Sequence, residues 1–212
     1  MSFDETIKAD TINVYVLNIE KLDGEDDRLL SVIAPHYAKK YERIRVPRGK
    51  KEELGAGFLL ARYLGVTRDD QLTFNEYGKP MLNMEVNKHF SLSHSGQYVI
   101  LATSDSPVGI DIERVDRLNL NVLKRVLPST YYERLEKEEN NNTKLSWGKS
   151  WTSVEAILKA DGKGFNIDPR EDDNFMEGWH IESFNLDEEY MVSCASKKAF
   201  VLKIVNVEDI TI

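Results

Sequence analysis

The sequence predicts an α/β protein of the α+β kind, built from two halves that each pass from helices into a small, mainly antiparallel sheet. Three observations carry this. Apolar residues recur at helical spacing over residues 25–64 and again over 119–164. Alternating runs rich in β-branched residues follow each helical stretch, at 72–113 and at 179–207. Pro107 stands at the join and divides residues 1–107 from 108–212.

The elements follow in order. In Thr11–Glu20, Ile12, Val14 and Val16 share one face and Tyr15, Leu17 and Ile19 the other, and β-branched residues are enriched, which reads as an opening strand. Asp23-Gly24 ends it. Helices are expected at 25–34 and 37–44, divided by Pro35, and a long one at Lys50–Leu64, with Leu54, Phe58, Leu59 and Tyr63 on its apolar stripe and Gly65 as its stop. Gly55 and Gly57 each cost such a helix about 1 kcal/mol relative to alanine, so close packing against a neighbour is expected there. A short strand at 72–75 leads into the turn Glu76-Tyr77-Gly78-Lys79-Pro80, which holds Lys79 on a tight loop. Strands at 90–93, 98–103 and 108–113 are expected to form a meander. Helices at 119–127 and 129–139, a solvated polar loop at 138–143, a helix from Lys149 capped by Ser150 or Thr152, and strands at 179–184, 190–195 and 200–207 complete the chain.

Composition narrows the function. The chain has 212 residues, 41% hydrophobic and 30% charged, enough to bury a core, and no apolar run long enough to cross a bilayer. Its first residues are acidic where a signal peptide is basic, so a cytoplasmic protein is expected. Cys194, alone, makes neither an intramolecular disulfide nor a thiolate cage and reads as an apolar filler. A net charge of −8 argues against a general nucleic-acid binder but not against a small phosphate ligand. Lys39, Lys40, Arg43, Arg45, Arg48, Lys50 and Lys51 fall within thirteen residues and make either a solvated face or a phosphate-facing patch.

Three clusters carry chemistry. Trp151, Glu155 and Lys159 stand at i, i+4 and i+8 on a helix that Gly162 and Gly164 end, so they form one stripe; the plain alternative is a surface Glu–Lys pair. In Gly109-Ile110-Asp111-Ile112-Glu113 both carboxylates point to one face of a strand, toward solvent or a cation. Oxygen ligands of this kind suit a hard ion such as Mg²⁺, a set that Glu155 can complete. Ser91-Leu92-Ser93-His94-Ser95-Gly96 offers hydroxyls, amides and an imidazole at a strand end: a phosphate cradle, or simply a turn. His36, His89 and His180 show no metal-ligand spacing.

FSLSHSG, VGIDIE and WTSVEAILKADGKG, in that order and together with NEYGKP, resemble the 4′-phosphopantetheinyl transferases of the long, Sfp-type class over roughly residues 41–164. The resemblance implies a pseudo-dimer of two similar α/β subdomains with the active site between them. It implies that Asp111, Glu113 and Glu155 bind Mg²⁺, with Mn²⁺ as an alternative, and that coenzyme A is the co-substrate. Lys159 would meet its pyrophosphate, Ser93 and His94 the nucleotide phosphates, and Lys79 with the basic run, Arg48 included, the 3′-phosphate and adenine end. Glu155, Lys159 and Asp111 would be the catalytic set, with Glu155 as base. The implied partner is an apo acyl or peptidyl carrier protein of fatty acid or secondary metabolite synthesis. Neither nucleic acid nor a membrane is expected as a partner, and the protein is expected to be a monomer.

Two positions depart from the family pattern. Val154 stands where lysine is usual, and Glu53 where relatives often carry arginine. Position 154 lies about 100° round the helix from Glu155, so a side chain there is expected to reach only the edge of the site. The competing functions are a non-catalytic binder of coenzyme A or carrier protein, and another Mg²⁺-dependent phosphotransfer or phosphohydrolase enzyme. A mere binder would have no need of the full Asp111, Glu113, Glu155 and Lys159 set. A different phosphotransfer enzyme would leave the SHSG and NEYGKP segments unexplained.

Overall fold

The computed structural model describes residues 9–84, 86–137 and 144–212. The acidic first residues and the expected loop at 138–143 lie outside the described residues. The elements are β1 (Asp10–Asn18), α1 (Asp26–Leu30), α2 (Pro35–Arg43), α3 (Pro47–Leu64), β2 (Leu72–Phe74), β3 (Pro80–Leu82), β4 (His89–Ser95), β5 (Tyr98–Ser104), β6 (Gly109–Arg114), α4 (Leu120–Leu123), α5 (Ser129–Lys137), α6 (Lys144–Asp161), β7 (His180–Asn185), β8 (Tyr190–Ser196) and β9 (Phe200–Asn206). The fold is mixed α+β, as expected.

Local chemistry explains most boundaries. Pro35 and Pro47 open α2 and α3, where a missing N–H costs nothing, so α3 begins three residues before the expected Lys50. Gly65, at φ 66°, ends α3 in the left-handed conformation. Inside that helix, a Cβ on Gly55 would stand 3.2 Å from Leu17 and Val99, and one on Gly57 would meet Ile33 and Tyr37. The two glycines thus let α3 settle onto its neighbours. The helix expected at 119–127 is shorter: Asn119 caps its start by accepting from the Val122 N–H, and the chain passes into a turn after Leu123.

The strands form a four-stranded sheet in the order β4-β5-β1-β9, a β2-β3 hairpin and a three-stranded sheet in the order β6-β8-β7. This corrects the expected meander. β4 and β5 pair antiparallel, but β6 leaves for the third sheet, where it pairs with β8. The two sheets that face each other make this exchange favourable: β6 buries Ile110 and Ile112 against β1 and β5. β9 departs from its half in the other direction and pairs parallel with β1, Ile12 opposite Leu202.

Three apolar clusters set the layers. The first lies between α3 and one face of β1 and β5, with Leu17, Phe58, Leu59 and Leu101. The second lies between the two larger sheets, with Ile12, Val14, Ile100, Ile112 and Val192. The third lies under α6, with Val154, Ile157, Leu158 and Ala195. Opposite faces of β1 thus serve two cores, as its double alternation requires.

Candidate active site

The site forms where α6 crosses β6. Gly109 allows the crossing: a Cβ on it would collide with the carbonyl oxygen of Ala156 and the amide nitrogen of Ala160, both backbone atoms of α6. The helix starts at Lys144, well before the expected cap. Ser150 and Thr152 are therefore interior residues whose hydroxyls donate to the carbonyls of Ser146 and Gly148, at 3.1 and 2.9 Å. Gly162, at φ 85°, follows the last turn and donates to the Leu158 carbonyl.

The stripe Trp151, Glu155 and Lys159 turns to the same cavity, of about 360 Å³, as Asp111 and Glu113 from β6 and Ser93 and His94 from β4. The Lys159 ammonium lies 2.7 Å from Asp111 Oδ1 and donates to Ser93 Oγ at 2.8 Å. Ser93 in turn donates to Asp111 Oδ1 at 2.8 Å, while Asp111 Oδ2 is buried with no hydrogen-bond partner among the described residues. Ser95 donates to Glu113 Oε2 at 2.7 Å.

Three carboxylates thus face one ammonium. Burial, reinforced by Asp111 and Glu113 and opposed by Lys159, pushes the Glu155 carboxyl up from 4.5 to about 7. Among the described residues no three His, Cys, Asp or Glu side chains are drawn in tightly enough to enclose an ion. The donor set nevertheless fits a hard divalent cation. It is all oxygen, one of its atoms is buried and unpartnered, and it has more negative charge than its own cation offsets.

The raised Glu155 carboxyl has a sign that can be checked. A carboxyl higher in the folded than in the unfolded chain stabilises the fold least when ionised, so its cost grows as pH rises from about 4.5 through 7. In EDTA, Glu155→Gln should therefore raise the melting temperature relative to wild type at pH 8 and leave it nearly unchanged at pH 4.5. An equal difference at both pH values would contradict this electrostatic account.

Lys79 is placed apart from this cavity. Gly78, at φ 85°, closes its loop, and Asn75 Oδ1 accepts from the Tyr77 and Lys79 amides at 3.0 and 2.8 Å. The loop docks on the end of α6: Asn75 donates to the Gly162 carbonyl at 2.7 Å and Lys79 Nζ to the Ala160 carbonyl at 3.2 Å. Burial lowers the Lys79 ammonium below its ordinary value, with Asp161 opposing. A second cavity, of about 380 Å³, opens here between Lys79, Met81, His89, Phe90 and Gly162. The last turn of α6 contributes to both cavities, Lys159 to one and Ala160 to Gly162 to the other.

His94 and Arg48 are brought together through a residue that the motifs did not single out. Glu52 lies 3.5 Å from His94 Nδ1 and 3.2 Å from Arg48 Nε. Glu53 pairs with Lys40 at 3.5 Å. Much of the basic run is thus already matched by acids of α3 and of the turn at Asp23, which pairs with Lys51.

Val154 corrects an expectation. It is fully buried in the cluster under α6, not at the edge of the site, because the helix tucks the residues flanking the stripe against α4 and β8. A lysine there would have to bring its ammonium out of an apolar core, which makes it a stability change before it is a change in the site.

Comparison with known proteins places these residues in a family. A model of the 4′-phosphopantetheinyl transferase superfamily matches residues 107–204. The chain is 38% identical over 93 residues to 4′-phosphopantetheinyl transferase gsp of Aneurinibacillus migulanus, a stretch covering 44% of this chain and 38% of that one. It is 31% identical over 150 residues to 4′-phosphopantetheinyl transferase Sfp of Bacillus subtilis (strain 168), covering 68% of this chain and 66% of that one. A further 4′-phosphopantetheinyl transferase of Bacillus subtilis is 25% identical over 197 residues, covering 84% and 88%. The matches to the first two relatives thus span less than two thirds of their lengths.

Proposed function

The chain belongs to the 4′-phosphopantetheinyl transferase superfamily, of the Sfp class, and on that premise we propose that it transfers 4′-phosphopantetheine from coenzyme A to a serine of an apo carrier protein. In this reaction the serine oxygen forms a bond to the β-phosphorus of coenzyme A, the bond from that phosphorus to the nucleotide phosphate breaks, and 3′,5′-ADP leaves. The observation that carries the reading is the convergence of Asp111, Glu113, Glu155 and Lys159 on one cavity.

Asp111, Glu113 and Glu155 would hold Mg²⁺, or Mn²⁺ in its place. When bound, that ion supplies Lewis-acid stabilisation of charge on the phosphoryl oxygens, worth several kcal/mol in such sites. The remaining work falls to the side chains. Lys159, held at 2.7 Å from Asp111, brings a fixed positive charge to the same place with little reorganisation. Glu155, which lines the same cavity, is the carboxylate to accept the serine proton, directly or through water. His94 and Arg48 on one side, Ser93 at the strand centre and Lys79 beside the second cavity form the nucleotide end of the coenzyme A site. No described helix is long and apolar enough to cross a membrane.

The test is release of 3′,5′-ADP from coenzyme A, followed by chromatography. It should require both an apo carrier protein and a divalent ion. Release that continues without the carrier would instead mark a phosphohydrolase.

A further inference from the structure

Ser91, Ser93 and Ser95 stand at every second residue of β4, all three are buried, and all three hydroxyls meet β6. β6 is the edge strand of its sheet, so the N–H groups along its outer side have no neighbouring strand to bond. Those of Ile110, Ile112 and Arg114 donate instead to Ser91 Oγ, Ser93 Oγ and Ser95 Oγ, at 3.2, 3.4 and 3.2 Å. A row of hydroxyls thus takes the place of strand carbonyls and joins the two sheets at one edge. Buried N–H groups require such partners.

Two of the three hydroxyls do a second thing. A serine hydroxyl has one proton, and with a lone pair held by a backbone N–H its direction is narrowed. Ser93 sends that proton to Asp111 Oδ1 and Ser95 sends it to Glu113 Oε2. Glu113 Oε2 also accepts from the Arg114 N–H at 3.0 Å, so both bonds land on one oxygen and neither on Oε1. Asp111 shows the same division, with Oδ1 engaged and Oδ2 buried and unpartnered.

We propose that Ser95 is a positioning residue: its hydroxyl, locked between the Arg114 N–H and Glu113 Oε2, turns the other carboxylate oxygen of Glu113 to the cation site. The inference rests on the metal reading above and adds to it a residue outside the ligand set. Ser93 does the same for Asp111, which gives the alternation of this strand a function beyond a phosphate cradle.

The experiment is Mn²⁺ binding to the full chain in the presence of coenzyme A, read from the paramagnetic resonance of free and bound ion, beside thermal unfolding in EDTA. Ser95→Ala should weaken Mn²⁺ binding about tenfold, the usual scale for a partner that orients a metal ligand. Ser95→Thr, which keeps the hydroxyl, should restore it. Ser91→Ala gives up the same kind of backbone bond without a carboxylate bond, so it should lower the melting temperature and leave Mn²⁺ affinity unchanged. Wild-type affinity in Ser95→Ala would overturn the proposal, as would equal losses of affinity in Ser91→Ala and Ser95→Ala. Failure of the wild type itself to bind Mn²⁺ would overturn the metal reading, a separate result. Should Ser95→Ala not fold, the isosteric pair Ser95→Thr and Ser95→Val poses the same question, and equal Mn²⁺ affinity in the two would overturn it.

Discussion

Asp111→Asn should abolish transfer while leaving the chain folded. The substitution keeps the shape of the side chain and the capacity of one oxygen to accept from Ser93 and Lys159, but removes the charge whose buried Oδ2 lacks a partner. If that oxygen serves a cation, turnover should fall roughly a thousandfold or more, equivalent to about 4 kcal/mol of transition-state stabilisation. The fold should barely respond. Removing this charge eases repulsion on Glu113 and Glu155 but also takes the Lys159 ammonium's partner, and the two effects oppose each other. On Asp111 considered as one of two neighbouring carboxylates, removal would simply stabilise the ion-free protein; the 2.7 Å pair with Lys159 is what alters that expectation. Turnover kinetics with a melting curve in EDTA check both halves, and near-normal turnover in the variant would sink the assignment.

Gly109→Ala is expected to be the most damaging single methyl group. Its Cβ would stand 3.0 Å from the carbonyl carbon of Ala156 and closer still to the Ala156 oxygen and the Ala160 nitrogen. These are backbone atoms of α6, with no flexible side chain to give way. Helix and strand would have to separate, at a cost of about 3 kcal/mol or more. For a chain of this length that is a fall in melting temperature of roughly 6–12 °C. Any separation also carries Asp111 away from Lys159 and Glu155, so Mn²⁺ binding should be lost together with stability. Circular dichroism melting and Mn²⁺ titration report the two effects, and an unchanged melting temperature would show that the crossing is looser than described.

The site was legible in the sequence where periodicity alone sets direction. A helix stripe of Trp151, Glu155 and Lys159 and a strand pair of Asp111 and Glu113 can each point only one way once the element is known. The alternation of β1 likewise marked it as a strand, and the structure adds that its two faces serve two cores. What was not legible depends on contacts between elements distant in the chain. Nothing in Val108–Glu113 indicates that β6 leaves β5 for β8, because burial of Ile110 and Ile112 is compatible with either sheet. The buried position of Val154 follows from α4 and β8 packing beside the stripe, and valine there reads the same at an edge as in a core. Glu52 was passed over because it stands between Arg48 of its own helix and His94 of β4, and no local pattern shows the second of these contacts. The serine alternation of β4 was visible, but its partners, the free N–H groups of β6, were not.

Group transfer to a carrier protein is read without intermediaries by intact-protein mass spectrometry. Incubated with coenzyme A, Mg²⁺ and this protein, an apo carrier protein should gain the mass of one phosphopantetheine group, and a carrier whose acceptor serine is replaced by alanine should gain none. An apo carrier left at its original mass, under conditions in which a known transferase of the family modifies it, would contradict the account.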